Sequence, residues 1–358
     1  MPELNVLVTG VGGAGLGEQI IKALRLADTH YFIVGCDMSA QSMGLAEVDA
    51  AYILPPARSE HYIEALLTVC KHHKVAAVFP GSEPELRVMS DSRAVIEAHG
   101  IFVPINPNEV IALCTDKVKT CDVLSSLGFC VPIYRSIKAL SDLEAFPVLP
   151  AVLKPSVGGG GSANLFLAQT RRELMLFGEY LLSLYPEFIV QEYIGTPDME
   201  FTVGVLLDMD GALLNSIALK RHIMSGLSNR IKVSNRTGRT DLGPLLALSS
   251  GVSQGEIGSF PQVTKQCEDI AIALGCRSAV NIQCRLVGEK AFVFEINPRY
   301  SGTTSLRAMV GYNEPDVLIR KHLLGETITQ HFPYRHGMIL RGLRESFVDI
   351  SRVQEVVA

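Results

Sequence analysis

Short apolar, β-branched runs alternate with amphipathic stretches through the first third of the chain. Asn5-Val6-Leu7-Val8-Thr9, Phe32 to Cys36, Ala51 to Leu54, Ala76 to Phe79 and Ile101 to Pro104 are continuous rather than alternating, the pattern of strands buried on both faces. Between them, Glu18 to Leu26 and Tyr62 to Cys70 repeat apolar residues at helical spacing. This alternation predicts a parallel sheet with helices on both faces, ending at about residue 108, where Asn106-Pro107-Asn108 marks a boundary. Beyond it, Val110 to Leu127 reads as one helix, closed by Gly128 to Pro132. The remainder mixes the two periods. Ile189 to Glu192, Phe201 to Leu207, Leu213 to Leu219 and Ala291 to Ile296 read as strands, so the second unit is expected to be α+β.

Composition narrows the function classes. The 358 residues suffice for about two domains. With 32 Lys and Arg against 37 Asp and Glu, the net charge of −5 argues against a nucleic-acid or anionic-membrane partner. No apolar run approaches the ~18 residues of a membrane span, and Met1-Pro2-Glu3-Leu4-Asn5 lacks a signal-peptide pattern, so a cytoplasmic location is expected. The eight cysteines form no CxxC pair and read as reduced thiols. His72 and His73 read as the solvated end of a helix.

Two glycine-rich turns compete for attention. Gly10-x-Gly12-x-x-Gly15 follows the first strand, and Asp37 closes the second, the context of a dinucleotide fingerprint. Any helix start preceded by glycines at a sheet's carboxyl edge offers amides to an anion, however, so this turn does not by itself specify a nicotinamide. The second turn follows a strand that ends in a cation: Leu153-Lys154-Pro155, then Ser156-Val157 and Gly158, Gly159, Gly160, Gly161, Ser162. Four consecutive glycines are costly to order, which points to a backbone that closes over phosphates, with Lys154 as the counter-charge. No GK[ST] follows, so it is not a Walker A loop.

The third constellation lies near the C-terminus. In Phe292 to Arg299, strand alternation places Glu295, Asn297 and Arg299 on one side. Gln283, on a preceding strand of opposite direction, would add a third oxygen, a donor set that suits magnesium completed by phosphate and water. Arg299 is suited to grip a transferring phosphoryl group. The stretch Lys220-Arg221-His222, Arg230, Lys232, Arg236 and Arg239 reads as a basic loop, in which Arg221 would hold an acceptor carboxylate or a γ-phosphate.

Lys117, the Leu153-Lys154-Pro155 strand with its glycine turn, Val190-Gln191-Glu192-Tyr193-Ile194, Asp198-Met199-Glu200, and the Gln283, Glu295, Asn297, Arg299 set occur in that order. Together they resemble the ATP-grasp superfamily, and the Glu-Ile-Asn-Pro-Arg run is most similar to the large subunit of carbamoyl-phosphate synthase and its single-lobed relatives. The resemblance implies an α/β fold: a Rossmann-like pre-ATP-grasp domain over residues 1–108, then an α+β ATP-grasp domain over 109–358 with a mobile lid at about 119–190. It implies that Lys117 and Lys154 contact the α- and β-phosphates of ATP, and that Gly158 to Ser162 fold over them. Glu192, Tyr193 and Ile194 would form the adenine hinge, with backbone groups at Tyr193 and Ile194 pairing the base, and Glu200 would lie near the nucleotide. Gln283, Glu295 and Asn297 would hold Mg2+, or Mn2+ in its place. The implied activity is ATP-dependent joining of a carboxylate to an amine through an acyl phosphate. The alternatives are phosphorylation of bicarbonate or carbamate, and nucleotide binding without catalysis. The implied partners are small molecules, with a homodimer common among such relatives. The acceptor would face Gly81-Ser82-Glu83 and the Gly12 to Gly17 turn, Glu83 being either a substrate contact or a helix N-terminal acid.

Overall fold

A computed structural model describes residues 4–12, 15–158, 164–343 and 353–355. The first apolar runs form β1 (Leu4–Val8), β2 (Tyr31–Asp37), β3 (Ala50–Ile53) and β4 (Ala77–Phe79), parallel and in spatial order β3-β2-β1-β4. α1 (Leu16–Arg25) lies between β1 and β2 and α2 (Tyr62–His72) between β3 and β4, and the pair α3 (Glu83–Asp91) and α4 (Arg93–Glu97) follows β4. Ile101 to Pro104, expected as a further strand, makes only an isolated bridge between Phe102 and Ala77. Pro104 has no N–H to carry a ladder onward.

The glycines of the first turn serve packing. A Cβ on Gly17 would lie 2.5 Å from both Thr9 O and Gly10 O, and one on Gly81 would lie 1.9 Å from Thr9 O. Two turns at the carboxyl edge thus interlock by backbone contact alone. Asp37 accepts from the Gly12 N–H at 2.9 Å, so the acid of the apparent fingerprint braces its own turn.

Past the boundary the single expected helix is two, α5 (Asn108–Thr115) and α6 (Lys117–Ser126). Asp116 breaks it with extended backbone and caps α6, accepting from the Val118 and Lys119 N–H groups at 3.1 Å each. Lys117 therefore begins a helix rather than riding along one. Next come β5 (Tyr134–Ile137), α7 (Leu140–Glu144), β6 (Ala151–Pro155), β7 (Phe166–Ala168), α8 (Arg171–Leu184) and β8 (Phe188–Glu192). Their strands form an antiparallel sheet in order β5-β8-β6-β7, on which α8 buries Leu174 and Leu181 against Leu153 and Val190.

The last part begins with β9 (Glu200–Leu207), β10 (Leu213–Arg221), the ribbon β11 (Asn229–Ser234) and β12 (Leu245–Ser249), β13 (Gly255–Gly258) and α9 (Pro261–Ala273). It continues through β14 (Ser278–Val287), β15 (Lys290–Asn297), α10 (Thr304–Met309), α11 (Glu314–His322) and β16 (Gly337–Ile339). Apart from the ribbon, these strands make a six-stranded antiparallel sheet in order β15-β14-β9-β10-β13-β16. Finally β17 (Val353–Glu355) returns to the first sheet, pairing parallel with β3. One apolar cluster runs from Val6 and Phe79 through Ile20 to Ile217, Leu306 and Leu318, so the first and last sheets share a core. Among the described residues no helix is long and apolar enough to cross a membrane.

Candidate active site

A cavity of about 960 Å³ opens where the three sheets meet. It is lined by every described residue expected to bind nucleotide or metal or to act on the phosphoryl group: Lys117, Lys154, Gly158, Glu192, Tyr193, Ile194, Glu200, Arg221, Gln283, Glu295, Asn297 and Arg299. Gly159, Gly160, Gly161 and Ser162 lie outside the described residues. The volume is at the upper end of ordinary ligand sites.

At one end stand two lysines. The Lys117 N–H donates to Ser156 O at 3.0 Å and its Nζ to Gly158 O at 3.3 Å, tying the start of α6 to the glycine turn. Lys154 is buried, and its Nζ donates to Phe294 O at 3.0 Å. Burial pulls the Lys154 ammonium down to about 8, against the upward pull of Glu295. A buried cation with one carbonyl partner has donors to spare for an anion.

The ladder between β14 and β15 sets Gln283 directly opposite Glu295. On the same side, Asn297 Nδ2 donates to Glu295 Oε1 at 2.9 Å, and Arg299 Nη2 donates to Asn297 Oδ1 at 3.0 Å. Burial raises the Glu295 carboxyl, but Lys154 and Lys117 outweigh it and hold it below the usual range. One ionised carboxylate and two amide oxygens, hard donors beside two cations suited to phosphate, fit a magnesium ion that shares its shell with phosphate and water. Arg299 Nη2 also meets Glu83 Oε1 at 3.1 Å. Glu83 is the first residue of α3 and lines the cavity, so it is a helix N-terminal acid that also reaches the arginine.

The remaining residues form a buried charge bridge. Glu200 is 2% exposed; its Oε1 accepts from Arg221 Nη1 at 3.1 Å, and its Oε2 accepts from Arg285 Nε and Nη2 at 3.1 and 3.0 Å. Arg221 also donates to Ser249 Oγ, Gln283 Oε1 and Ser250 O at 2.8, 3.2 and 2.7 Å. Arg221, expected to hold an acceptor carboxylate or the γ-phosphate, lines the cavity, and its guanidinium is held by protein groups, Gln283 among them. Burial lowers both guanidiniums. Arg285, with two bonds to Glu200, ends above the ordinary arginine range, and Arg221 ends below it.

The basic stretch is a loop only in part, at His222, Arg236 and Arg239. Lys220 and Arg221 end β10, and Arg230 and Lys232 lie in β11. Arg236 pairs with Glu173, and Arg239 with Asp241 and Glu192, which spends those charges outside the phosphate end. At the hinge, the Tyr193 N–H donates to Pro150 O at 3.0 Å, so this amide is already engaged. Arg285 escaped sequence reasoning although a signal existed: it stands two positions past Gln283, hence on the same strand face.

Residues 6–104 match the family model described as PylC-like, N-terminal domain, and residues 248–345 match that of ATP-grasp in the biosynthetic pathway with Ter operon. The carbamoyl phosphate synthase large chain of Thermoplasma volcanium is 23% identical over 321 residues, which are 84% of this chain and 29% of that protein. The chain thus spans less than a third of that relative. Among solved structures, an L-amino acid ligase from Bacillus licheniformis superposes with a TM-score of 0.62 at 18% identity, covering 90% of this chain and 74% of the other. The N5-carboxyaminoimidazole synthetase from Staphylococcus aureus, solved with ADP, gives 0.62 at 15% identity, covering 94% and 80%. These matches make the chain similar to ATP-grasp proteins, and its fold, a Rossmann-like first domain followed by an antiparallel grasp, is that of the ATP-grasp ligases among its structural neighbours. Among the curated relatives it is similar to the carbamoyl-phosphate synthase large chain.

Proposed function

We propose that this protein is an ATP-dependent ligase that joins a carboxylate to an amine. The observation that carries the reading is the convergence of Lys117, Lys154 and the Gln283, Glu295, Asn297, Arg299 set on one cavity that also reaches the first domain. Lys117 and Lys154 hold the phosphates, with the adenine against Glu192 to Ile194. Because the Tyr193 amide is engaged, the Ile194 amide is the hinge donor assigned to the base. Gln283, Glu295 and Asn297 hold a magnesium ion, which supplies neutralisation of phosphate charge. Arg299 steadies the γ-phosphoryl as it moves, and Glu83 orients Arg299 from the acceptor side.

In the first step an acceptor carboxylate oxygen attacks the γ-phosphorus, the bond to the β,γ-bridging oxygen breaks, and ADP leaves. In the second, an amine attacks the acyl carbon, phosphate departs, the nitrogen loses a proton, and an amide remains. Positioning and charge stabilisation suffice, without a side-chain nucleophile. The reading is supported by the fold, by the L-amino acid ligase among the similar structures and by the shared motif order.

The test is ADP release from ATP and magnesium over a panel of carboxylic acids crossed with amines, bicarbonate included, with mass spectrometry of the products. Acid-dependent ADP release with an amide product is expected, and Glu295→Ala should lower it by about a thousandfold. Normal turnover by Glu295→Ala sinks the metal assignment. Release dependent on bicarbonate alone replaces the ligase reading with a carbamoyl-phosphate-synthase-like one.

A further inference from the structure

The buried bridge around Glu200 has no chemical duty in the reaction above, yet it touches both ends of the nucleotide site. Arg285 leaves β14 and spreads its guanidinium over the Tyr193 ring, 4.3 Å from the ring centroid. Its Nη1 donates to Ile194 O at 3.1 Å and to Gly195 O at 3.3 Å, and its Nη2 to Ala247 O at 2.7 Å. Tyr193 is fixed from its other end as well, since its hydroxyl donates to Ala247 O and accepts from the Ala247 N–H. Two consecutive carbonyls of the hinge are therefore held by one buried side chain. Through Glu200 the same network continues to Arg221 and so to Gln283 Oε1.

We propose that Arg285 is a specificity-determining residue for adenine, acting by occupying the hinge acceptors, and that Glu200 couples this hinge to Gln283 through Arg221. The proposal rests on the nucleotide-binding reading. Guanine presents two donors, N1–H and N2–H, on its pairing edge, whereas adenine presents one donor beside an acceptor nitrogen. The Ile194 and Gly195 carbonyls each keep one lone pair after accepting from the guanidinium, and a base donor that shares it lies beside a positive charge, so two guanine donors are served worse there than the single adenine donor. Arg285 thus positions the hinge without touching the phosphates. Only an arginine fork can serve Glu200, two hinge carbonyls and Ala247 O together while stacking on a ring.

The experiment is calorimetric titration of the full chain with ADP and with GDP in magnesium. Arg285→Met leaves Glu200 paired with Arg221, so the buried acid keeps a cation. In Arg285→Met, ADP binding should weaken about tenfold and the ratio of ADP to GDP affinity should fall about tenfold or more. Arg285→Lys, which keeps a cation but not the fork, should show the same fall in ratio and serves if the first variant does not fold. For the coupling, the magnesium concentration that half-saturates ADP binding should rise in Arg221→Met and in Arg285→Met, and by less than the product of the two in the double variant. A purely structural role would weaken ADP and GDP alike and leave the ratio unchanged, which overturns the specificity claim. Independent magnesium effects overturn the coupling. Wild-type protein that binds no adenine nucleotide overturns both this inference and the reading beneath it.

Discussion

At Gly17 an added Cβ would stand 2.5 Å from two backbone oxygens, whereas at Gly158, with φ +75°, it would meet nothing within 4 Å. Gly17 must be glycine because chain segments pass too close there for any side chain. Gly158 has room for a side chain, and needs to be glycine only for its left-handed backbone. A glycine motif dictated by packing carries no information about a ligand. One in open space beside a buried lysine and a cavity does. This difference is why the first turn resembles a dinucleotide fingerprint without carrying the argument for one, and why the second carries the phosphate reading.

The comparison can be broken by substitution. The largest effect should come from Gly81→Ala, whose Cβ would lie 1.9 Å from Thr9 O; a loss of about 3 kcal/mol or more is expected in urea unfolding. The folded fraction of that variant should keep its ADP to GDP ratio, and wild-type stability would show that the first turn is not packed as described. At the second turn the expected signature is in binding. Below about pH 8 the free protein carries Lys154 charged; above it, phosphate binding must draw in a proton. ADP affinity should thus fall as pH rises, by up to about tenfold per unit above 8, and Lys154→Arg should flatten the profile. A wild-type profile with no fall between pH 8 and 9.5 would remove Lys154 from the phosphate site. The smallest effect is Gly158→Ala: strain of about 1 kcal/mol, seen as a melting shift of no more than about 2–4 °C. A shift as large as that of Gly81→Ala would erase the distinction between the turns.

Much of the site was legible because strand periodicity is local. Alternation alone put Glu295, Asn297 and Arg299 on one side, and the structure joins them by consecutive hydrogen bonds. The reversed strand carrying Gln283 likewise falls opposite Glu295. What periodicity does not convey is which distant charge meets a given face. Arg221 looked like an open cation because its acid, Glu200, stands on the neighbouring strand. Glu83 reaches Arg299 across 216 positions of chain.

The amino-acid sequence by itself determined the alternation of strand and helix in the first domain, the order of the proposed phosphate and metal motifs, and the shared face of Glu295 and Asn297 on β15, since each depends on neighbours a few residues apart. Tertiary structure decided the break at Asp116, the return of Val353–Glu355 to the first sheet, and the capture of Arg221 and Arg285 by one carboxylate. The last of these turns on desolvation. Whether a guanidinium is available to a ligand depends on what is buried beside it, and that is set only when remote segments pack together.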